Sequence, residues 1–290
     1  MVVAITGASG HLGRKTAELL ISGLDPSDVV LLTRTPDALA DLAGRGAAVH
    51  RADFNEPSSV RDALAGVERM LLISAVELGQ RVQQHRAAID AAQHAGVRHV
   101  LYTSIPNPVT QNPAGVVPDH LATEEALRAS GLAWTFLRNN LYAEYQVPTA
   151  AQAIATGQLV TNAGGGRTAY VSRDDCAAAA AAVLTSPGHE NTAYDVTGPQ
   201  AVSVDELAAL AGEIAGRTID VVHVDDDAFV TGLTGAGVPE VGARLYASFG
   251  ASTRDGFLEG VSSAVEDLTG EAPRSLRAVL TAARGELVAA

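Results

Sequence analysis

Gly7, Gly10 and Gly13 stand at GxxGxxG spacing in Gly7-Ala8-Ser9-Gly10-His11-Leu12-Gly13, directly after the apolar run Val2–Thr6 and before a helical pattern. In that context Gly7 makes a tight turn, Gly10 lets the backbone approach a pyrophosphate, and Gly13 lets helix and strand pack closely. The N–H groups of Ser9 and of the first helical turn, His11 and Leu12 included, then face the anion. A purely structural glycine turn is the plain alternative. NAD enzymes usually place a carboxylate about 20 residues after the glycines, on the ribose 2′-hydroxyl. Leu31-Leu32-Thr33-Arg34-Thr35 has no acid there. The fork-shaped guanidinium of Arg34 suits a 2′-phosphate, so NADPH is the expected cofactor, against the reading of a solvated surface arginine. Asp53 and Phe54, ending a third strand, fit an adenine amino group and ring, although Asp53 fits a turn or cap equally well.

Other chemistries are excluded by what the chain lacks. Of its 20 basic residues only Lys15 is a lysine, and His11 stands four residues before it, so no Tyr-x-x-x-Lys pair exists. A phosphate loop ending in Gly-Lys-Ser/Thr is absent, and Schiff-base chemistry would have to use Lys15, which reads as exposed. Net charge of −13 repels phosphate backbones and anionic lipid surfaces, so neither nucleic acid nor membrane is an expected partner. Cys176, the single cysteine, lies among alanines and reads as buried filler. His85, His94, His99 and His189 show no metal-ligand spacing, and no metal is expected. Asp225-Asp226-Asp227 reads as a solvated helix start. Met1–Thr6 carries no basic leader region and the longest apolar run, Ala177–Leu184, is far below the ~20 residues that span a bilayer, so a cytoplasmic protein is expected.

The elements that must position these residues alternate between two periodicities. Short apolar strands are expected at Val2–Thr6, Val29–Thr33, Ala48–Arg51, Arg69–Ile73, His99–Thr103 and Ala133–Leu137, with helices at His11–Ile21, Asp37–Ala43, Ser58–Leu64, Gln80–Ala95 and Asp119–Ala129. The fold class is therefore α/β, a Rossmann-type doubly wound parallel sheet of six strands with a smaller C-terminal α+β substrate lobe. Residues 1–140 form the cofactor domain and 141–290 mainly the substrate lobe. The latter has strand-like pieces at Thr168–Val171, Ala193–Val196 and Ile219–His223, and segments near 168–197 return to the sheet. A homo-oligomer is compatible with this organisation.

Several stretches carry a family likeness: Ala4–Gly13, Leu71–Arg81, Tyr102-Thr103-Ser104, Leu137-Arg138-Asn139 with Tyr142, and the alanine-rich helix after Arg173. Over essentially its whole length the chain resembles the atypical short-chain dehydrogenases/reductases that contain the NmrA-like proteins, and within them the NADPH-dependent quinone reductases. The resemblance implies hydride transfer from NADPH to a quinone held between the lobes. It also implies that His120 stands near the position of the lysine in lysine-bearing relatives. An NmrA-like regulator that binds NADP(H) without turnover, or a reductase of another carbonyl or enone, remains an alternative.

A quinone accepts hydride readily, so positioning carries most of the catalysis. Ser74-Ala75-Val76 and Thr103-Ser104 end strands where open α/β sheets bind ligands, and are expected at the cofactor unless they only cap strand ends. Asn139, Asn140 and Tyr142 offer two amides and a phenol to a carboxamide or quinone oxygen, although Asn-Asn is also a turn signal. His120 is expected to titrate near working pH and to donate a proton or hydrogen bond to the reduced oxygen, or else to cap its helix. Arg173 is expected either at a cofactor phosphate or paired with Asp174 or Asp175.

Overall fold

A computed structural model describes residues 1–77 and 79–288; Leu78, within the Leu71–Arg81 stretch, lies outside the described residues. The first half runs β1 (Val3–Ile5), α1 (His11–Gly23), β2 (Val29–Thr33), α2 (Ala40–Gly44), β3 (Ala48–Arg51), α3 (Pro57–Ala63), β4 (Arg69–Leu72), α4 (Arg81–Ala95), β5 (His99–Ser104), α5 (Val117–Ala129) and β6 (Ala133–Asn139). These strands pair in parallel in the order β3-β2-β1-β4-β5-β6, which reverses direction beside β1. Ligands of such sheets bind past the carboxyl ends at that reversal.

Alternation along the strands divides the core into two layers. Ile5, Leu31, Leu71, Leu101 and Leu137 face α1, while Ala4, Leu32, Met70, Leu72, Val100, Tyr102 and Phe136 face α3, α4 and α5. Burial on both faces explains why the strands read as apolar runs.

The chain continues through α6 (Gln146–Thr156), β7 (Gln158–Thr161), β8 (Arg167–Thr168), α7 (Arg173–Thr185) and β9 (Thr192–Val196). The expectation of six strands is corrected here, because β9 adds a seventh parallel strand beside β6. Pairing of Arg138 with Asp195 and Asn139 with Val196 extends β6 two residues beyond the expected Leu137 end. The small residues Cys176, Ala177 and Ala180 let α7 pack closely on the α1 side of the sheet. Arg69 on β4 donates to the carbonyls of Val183, Leu184 and Ser186, satisfying the C-terminal end of α7.

The last third contains β10 (Val202–Ser203), α8 (Val204–Ala215), β11 (Asp220–His223), α9 (Asp226–Gly235), α10 (Glu240–Arg254), α11 (Ala264–Thr269), α12 (Leu276–Ala282) and α13 (Arg284–Val288). Ser203 and Glu206 form a capping box on α8, and the Asp225 carboxylate caps α9 through Ala228 N. Two small sheets, β10 with β8 and β11 with β7, accompany a separate core around Ala150, Leu207, Ala211 and Leu280. Leu245 and Phe249 of α10 pack on Ile105, Ala114, Val116 and Val117, the segment that leads into α5. Residues 257–262 thread across the end of the sheet. Asn107 donates to Phe257 O, Asn140 and Ala169 N donate to Leu258 O, and Ser262 N donates to Thr197 Oγ1. Among the described residues no helix is long and apolar enough to cross a membrane.

Candidate functional site

The glycine loop lies between the end of β1 and the start of α1. Gly7 has φ +60°, a conformation that costs glycine little. A Cβ on Gly13 would lie 2.4 Å from Gly7 O, so close packing of helix on loop excludes any side chain there. The first turn of α1 contains no acid, and Gly10, its N-cap, contributes no side-chain cap. The first bond of the helix is Arg14 N to Gly10 O, and among the described residues the N–H groups of His11, Leu12 and Gly13 have no acceptor. Unsatisfied amides with an uncompensated positive dipole end make an anion site. Ser9 Oγ, 2.8 Å from Thr33 Oγ1, ties the loop to the end of β2. Lys15 reaches Asp174 at 3.4 Å.

At the expected adenosine side, Arg34 Nη1 donates to Glu77 Oε1 at 2.9 Å. Gln84 Nε2 donates to Glu77 Oε2 at 2.9 Å. The Asp53 carboxylate accepts from Asn55 N in a turn, and Phe54 lies edge-on to His85, 6.5 Å between ring centres. After β4, Ser74 N donates to Thr103 Oγ1 and Ala75 N to His85 Nε2, which leaves Val76 projecting into solvent.

The expectation that the Thr103 and Ser104 hydroxyls are available to a cofactor is corrected. Both residues are buried; Thr103 holds Ser74, and Ser104 Oγ donates to Glu124 Oε1 at 2.7 Å. Ser104 is claimed by Glu124, a fully buried carboxylate on α5 that needs every available donor. It also accepts from Arg128 Nη2 at 2.9 Å and from Arg138 through both Nε and Nη2. Arg128 in turn lies over the Phe136 ring.

His120, on α5, is buried, with Nδ1 2.8 Å from Tyr102 Oη. Desolvation, reinforced by the positive Arg81 and by His85, lowers its pKa to about 3. This corrects the expectation of titration near neutrality: His120 is a neutral imidazole at working pH. His85 is lowered to about 4 by the same burial and by Arg81. Because His85 Nε2 accepts from Ala75 N, its proton lies on Nδ1, toward Thr123 Oγ1 at 2.8 Å.

Asn139, Tyr142 and Arg173 come together between the end of β6 and the start of α7. Asn139 Oδ1 is buried and has no hydrogen-bond partner among the described residues, and its Nδ2 is 3.4 Å from Tyr142 Oη. Burial raises the Tyr142 pKa, keeping it a phenol. The Arg173 guanidinium lies 5.2 Å from the Tyr142 ring centre and 4.7 Å from that of Tyr145, instead of pairing with Asp174 or Asp175. Those acids serve Lys15 and Arg274. Asn140 does not join the cluster: its Nδ2 donates to Leu258 O and its Oδ1 accepts from Leu141 N, so both ends of the amide hold backbone. Sequence reasoning missed Glu77, Glu124, Glu144 and Tyr145. The aromatic recurrence in Tyr142-Ala143-Glu144-Tyr145 was the available signal for the last. Glu144 Oε1 accepts from Arg173 N, and its Oε2 is buried with no partner among the described residues.

Residues 7–187 match the NAD(P)H-binding family. The chain is 35% identical to quinone oxidoreductase 2 of Escherichia coli strain K12 over 275 residues, covering 95% of this chain and 96% of the relative. Its structure is similar to that of an Escherichia coli NADPH-dependent quinone oxidoreductase complexed with NADPH, with TM-score 0.93, 34% identity and 99% of both chains covered. It is also similar to a Citrobacter triphenylmethane reductase, with TM-score 0.91, 32% identity, and 98% and 100% covered.

Proposed function

Because this chain belongs to the NAD(P)H-binding family, we propose that it is an NADPH-dependent oxidoreductase that transfers hydride to a quinone. The likeness over 99% of both chains to a quinone oxidoreductase complexed with NADPH carries this reading. The unpaired amides of His11, Leu12 and Gly13 fit a pyrophosphate, and the excluded Cβ at Gly13 fits the close helix approach such a loop requires. The bound dihydronicotinamide supplies the hydride.

In this reading Arg34 receives the 2′-phosphate, and Val76 and the backbone of Ser74–Ala75 border the cofactor. Asp53 shapes the turn beside the adenine, with Phe54 against the base. Asn139 Oδ1, an acceptor without a partner among the described residues, suits the amide N–H of a carboxamide. Tyr142 and Tyr145, joined by Arg173, form an aromatic wall for a flat acceptor. A quinone takes up one hydride and one proton to become a hydroquinone. With its pKa lowered to about 3, His120 acts as a neutral hydrogen-bonding partner of a substrate oxygen, and water supplies the proton. Tyr102 orients the ring through Nδ1.

Loss of reduced-cofactor absorbance on mixing the protein with NADPH and a simple quinone tests the reading. NADPH binding without quinone-dependent oxidation would sink it in favour of a sensor. The likeness to a triphenylmethane reductase favours a second acceptor class, cationic conjugated dyes, tested in the same assay.

A further inference from the structure

The link between Arg34 and Glu77 crosses the adenosine half of the cofactor crevice. Arg34 follows β2 and Glu77 follows β4, the strands on either side of β1, so the pair straddles the strand end from which Gly7 emerges. Glu77 is not a loose surface acid. Its second oxygen is held at 2.9 Å by Gln84, which is itself only 5% exposed on α4. Gln84 also reaches Asn55 Oδ1 at 3.3 Å, in the turn shaped by Asp53. One carboxylate therefore fixes the guanidinium with one oxygen and an anchored helix with the other.

The two classes of dinucleotide meet this carboxylate differently. A 2′-phosphate carries about −1.5 to −2 charges at pH 7. It competes with Glu77 for the same guanidinium and is repelled by the carboxylate if both stay. An unphosphorylated ribose donates a 2′-hydroxyl hydrogen bond to Glu77 while the pair with Arg34 persists.

We propose that Glu77 sets the preference between phosphorylated and unphosphorylated dinucleotides, as an internal stand-in for the 2′-phosphate that must leave Arg34 before NADPH seats. The inference rests on the reading of Arg34 as the 2′-phosphate partner. It assigns to the acid missing after β2 a substitute carried on the loop after β4.

The test uses the full chain and binding alone, with NADPH, NADH, 2′,5′-ADP and 5′-AMP as probes. Glu77→Gln keeps an acceptor for Gln84 and removes the charge. Loss of a surface ion pair is worth about 0.2–1 kcal/mol, or up to about fivefold, and relief of repulsion adds to it. Glu77→Gln is expected to tighten NADPH and 2′,5′-ADP about five- to tenfold and to leave NADH and 5′-AMP unchanged or weaker. Glu77→Ala gives the same ordering, and thermal melts show that both variants fold. In an Arg34→Ala background the part of the tightening that comes from freeing the guanidinium disappears, and only the smaller relief of repulsion remains. Unchanged NADPH affinity in a folded Glu77→Gln protein, or equal tightening of all four probes, overturns the proposal. Arg34→Ala that weakens NADPH and NADH alike overturns instead the reading on which it rests, so the two failures are distinguishable.

Discussion

A single methyl group has opposite effects at two glycines of the phosphate loop. At Gly13 the added carbon would lie 2.4 Å from Gly7 O and 2.8 Å from Ala8 Cα. Comfortable carbon contacts are about 3.5–4.0 Å, and both neighbours are backbone, so α1 must move by about 1 Å. Overpacking of this kind costs about 1–3 kcal/mol, and the absence of any yielding side chain puts Gly13→Ala near the upper end. Helix propensity returns up to about 1 kcal/mol, for a net loss of about 2 kcal/mol. At about 2–4 °C per kcal/mol the melting temperature should fall by about 4–8 °C. Gly10 has φ −77° and ψ 165°, open to any residue, and its Cβ would meet only Gly7 O at 3.3 Å. Gly10→Ala should stay within about 0.5 kcal/mol of the parent while losing at least about tenfold in NADPH affinity, because the methyl occupies the pyrophosphate approach. Thermal unfolding and NADPH fluorescence titration of both variants separate the effects. A Gly13→Ala protein melting with the parent, or a Gly10→Ala protein binding NADPH as the parent does, refutes the reasoning.

Acid should weaken the fold through its buried imidazoles. His85 and His120 have pKa values lowered to about 4 and about 3, so the unfolded chain binds their protons first. Their contribution is complete above pH 6.5 and declines as pH falls toward 4, by about 3 kcal/mol for His85 alone. Urea midpoints measured from pH 7 to pH 4 that do not fall in a His85→Gln-sensitive manner would count against this. Loss of one neutral hydrogen bond, about 1–1.5 kcal/mol, means His120→Ala should slow quinone reduction by about tenfold, with a pH–rate profile that carries no His120 ionisation near neutrality before or after substitution; a neutral-pH ionisation lost in the variant would restore the general-acid role. Glu124→Gln leaves two arginines facing an amide and should cost about 3–5 kcal/mol in urea unfolding; a loss under about 1 kcal/mol would show the cluster to be incidental.

Local sequence made some of these features legible and left others hidden for definite reasons. The glycine loop was readable because strand, turn and helix follow one another within residues 1–23. The strand-like piece at Ala193–Val196 reads as part of a segment that returns to the sheet, but nothing near Thr192 indicates that its partner is β6 in the register that sets it opposite Thr135. That pairing carries β6 on to Asn139, while Arg138 is also paired with Ser104 of β5. Thr103 and Ser104 were rightly located at a strand end, but period-two alternation does not say which hydroxyl a buried acid will claim. Glu124 reads as one more charge in Thr123-Glu124-Glu125, and only α5 packing on β5 and β6 shows that it is enclosed. His120 was misjudged for the same reason, because burial sets its titration and burial is a property of the assembled layers.

The thread of residues 257–262 bears on the order in which the protein can be made. The cofactor-binding sheet is complete only when β9 has joined it, and the loops after β5 and β6, the latter already tied to Val171 and Val196, gain further anchors when Phe257 and Leu258 arrive. A nascent chain released as far as residue 200 thus carries every glycine and arginine of the dinucleotide site, yet lacks the bonds from Asn107 to Phe257 and from Asn140 to Leu258. Synthesis of the segment around 257–262, rather than of the glycine motif, is the step at which the growing polypeptide can lock its binding edge.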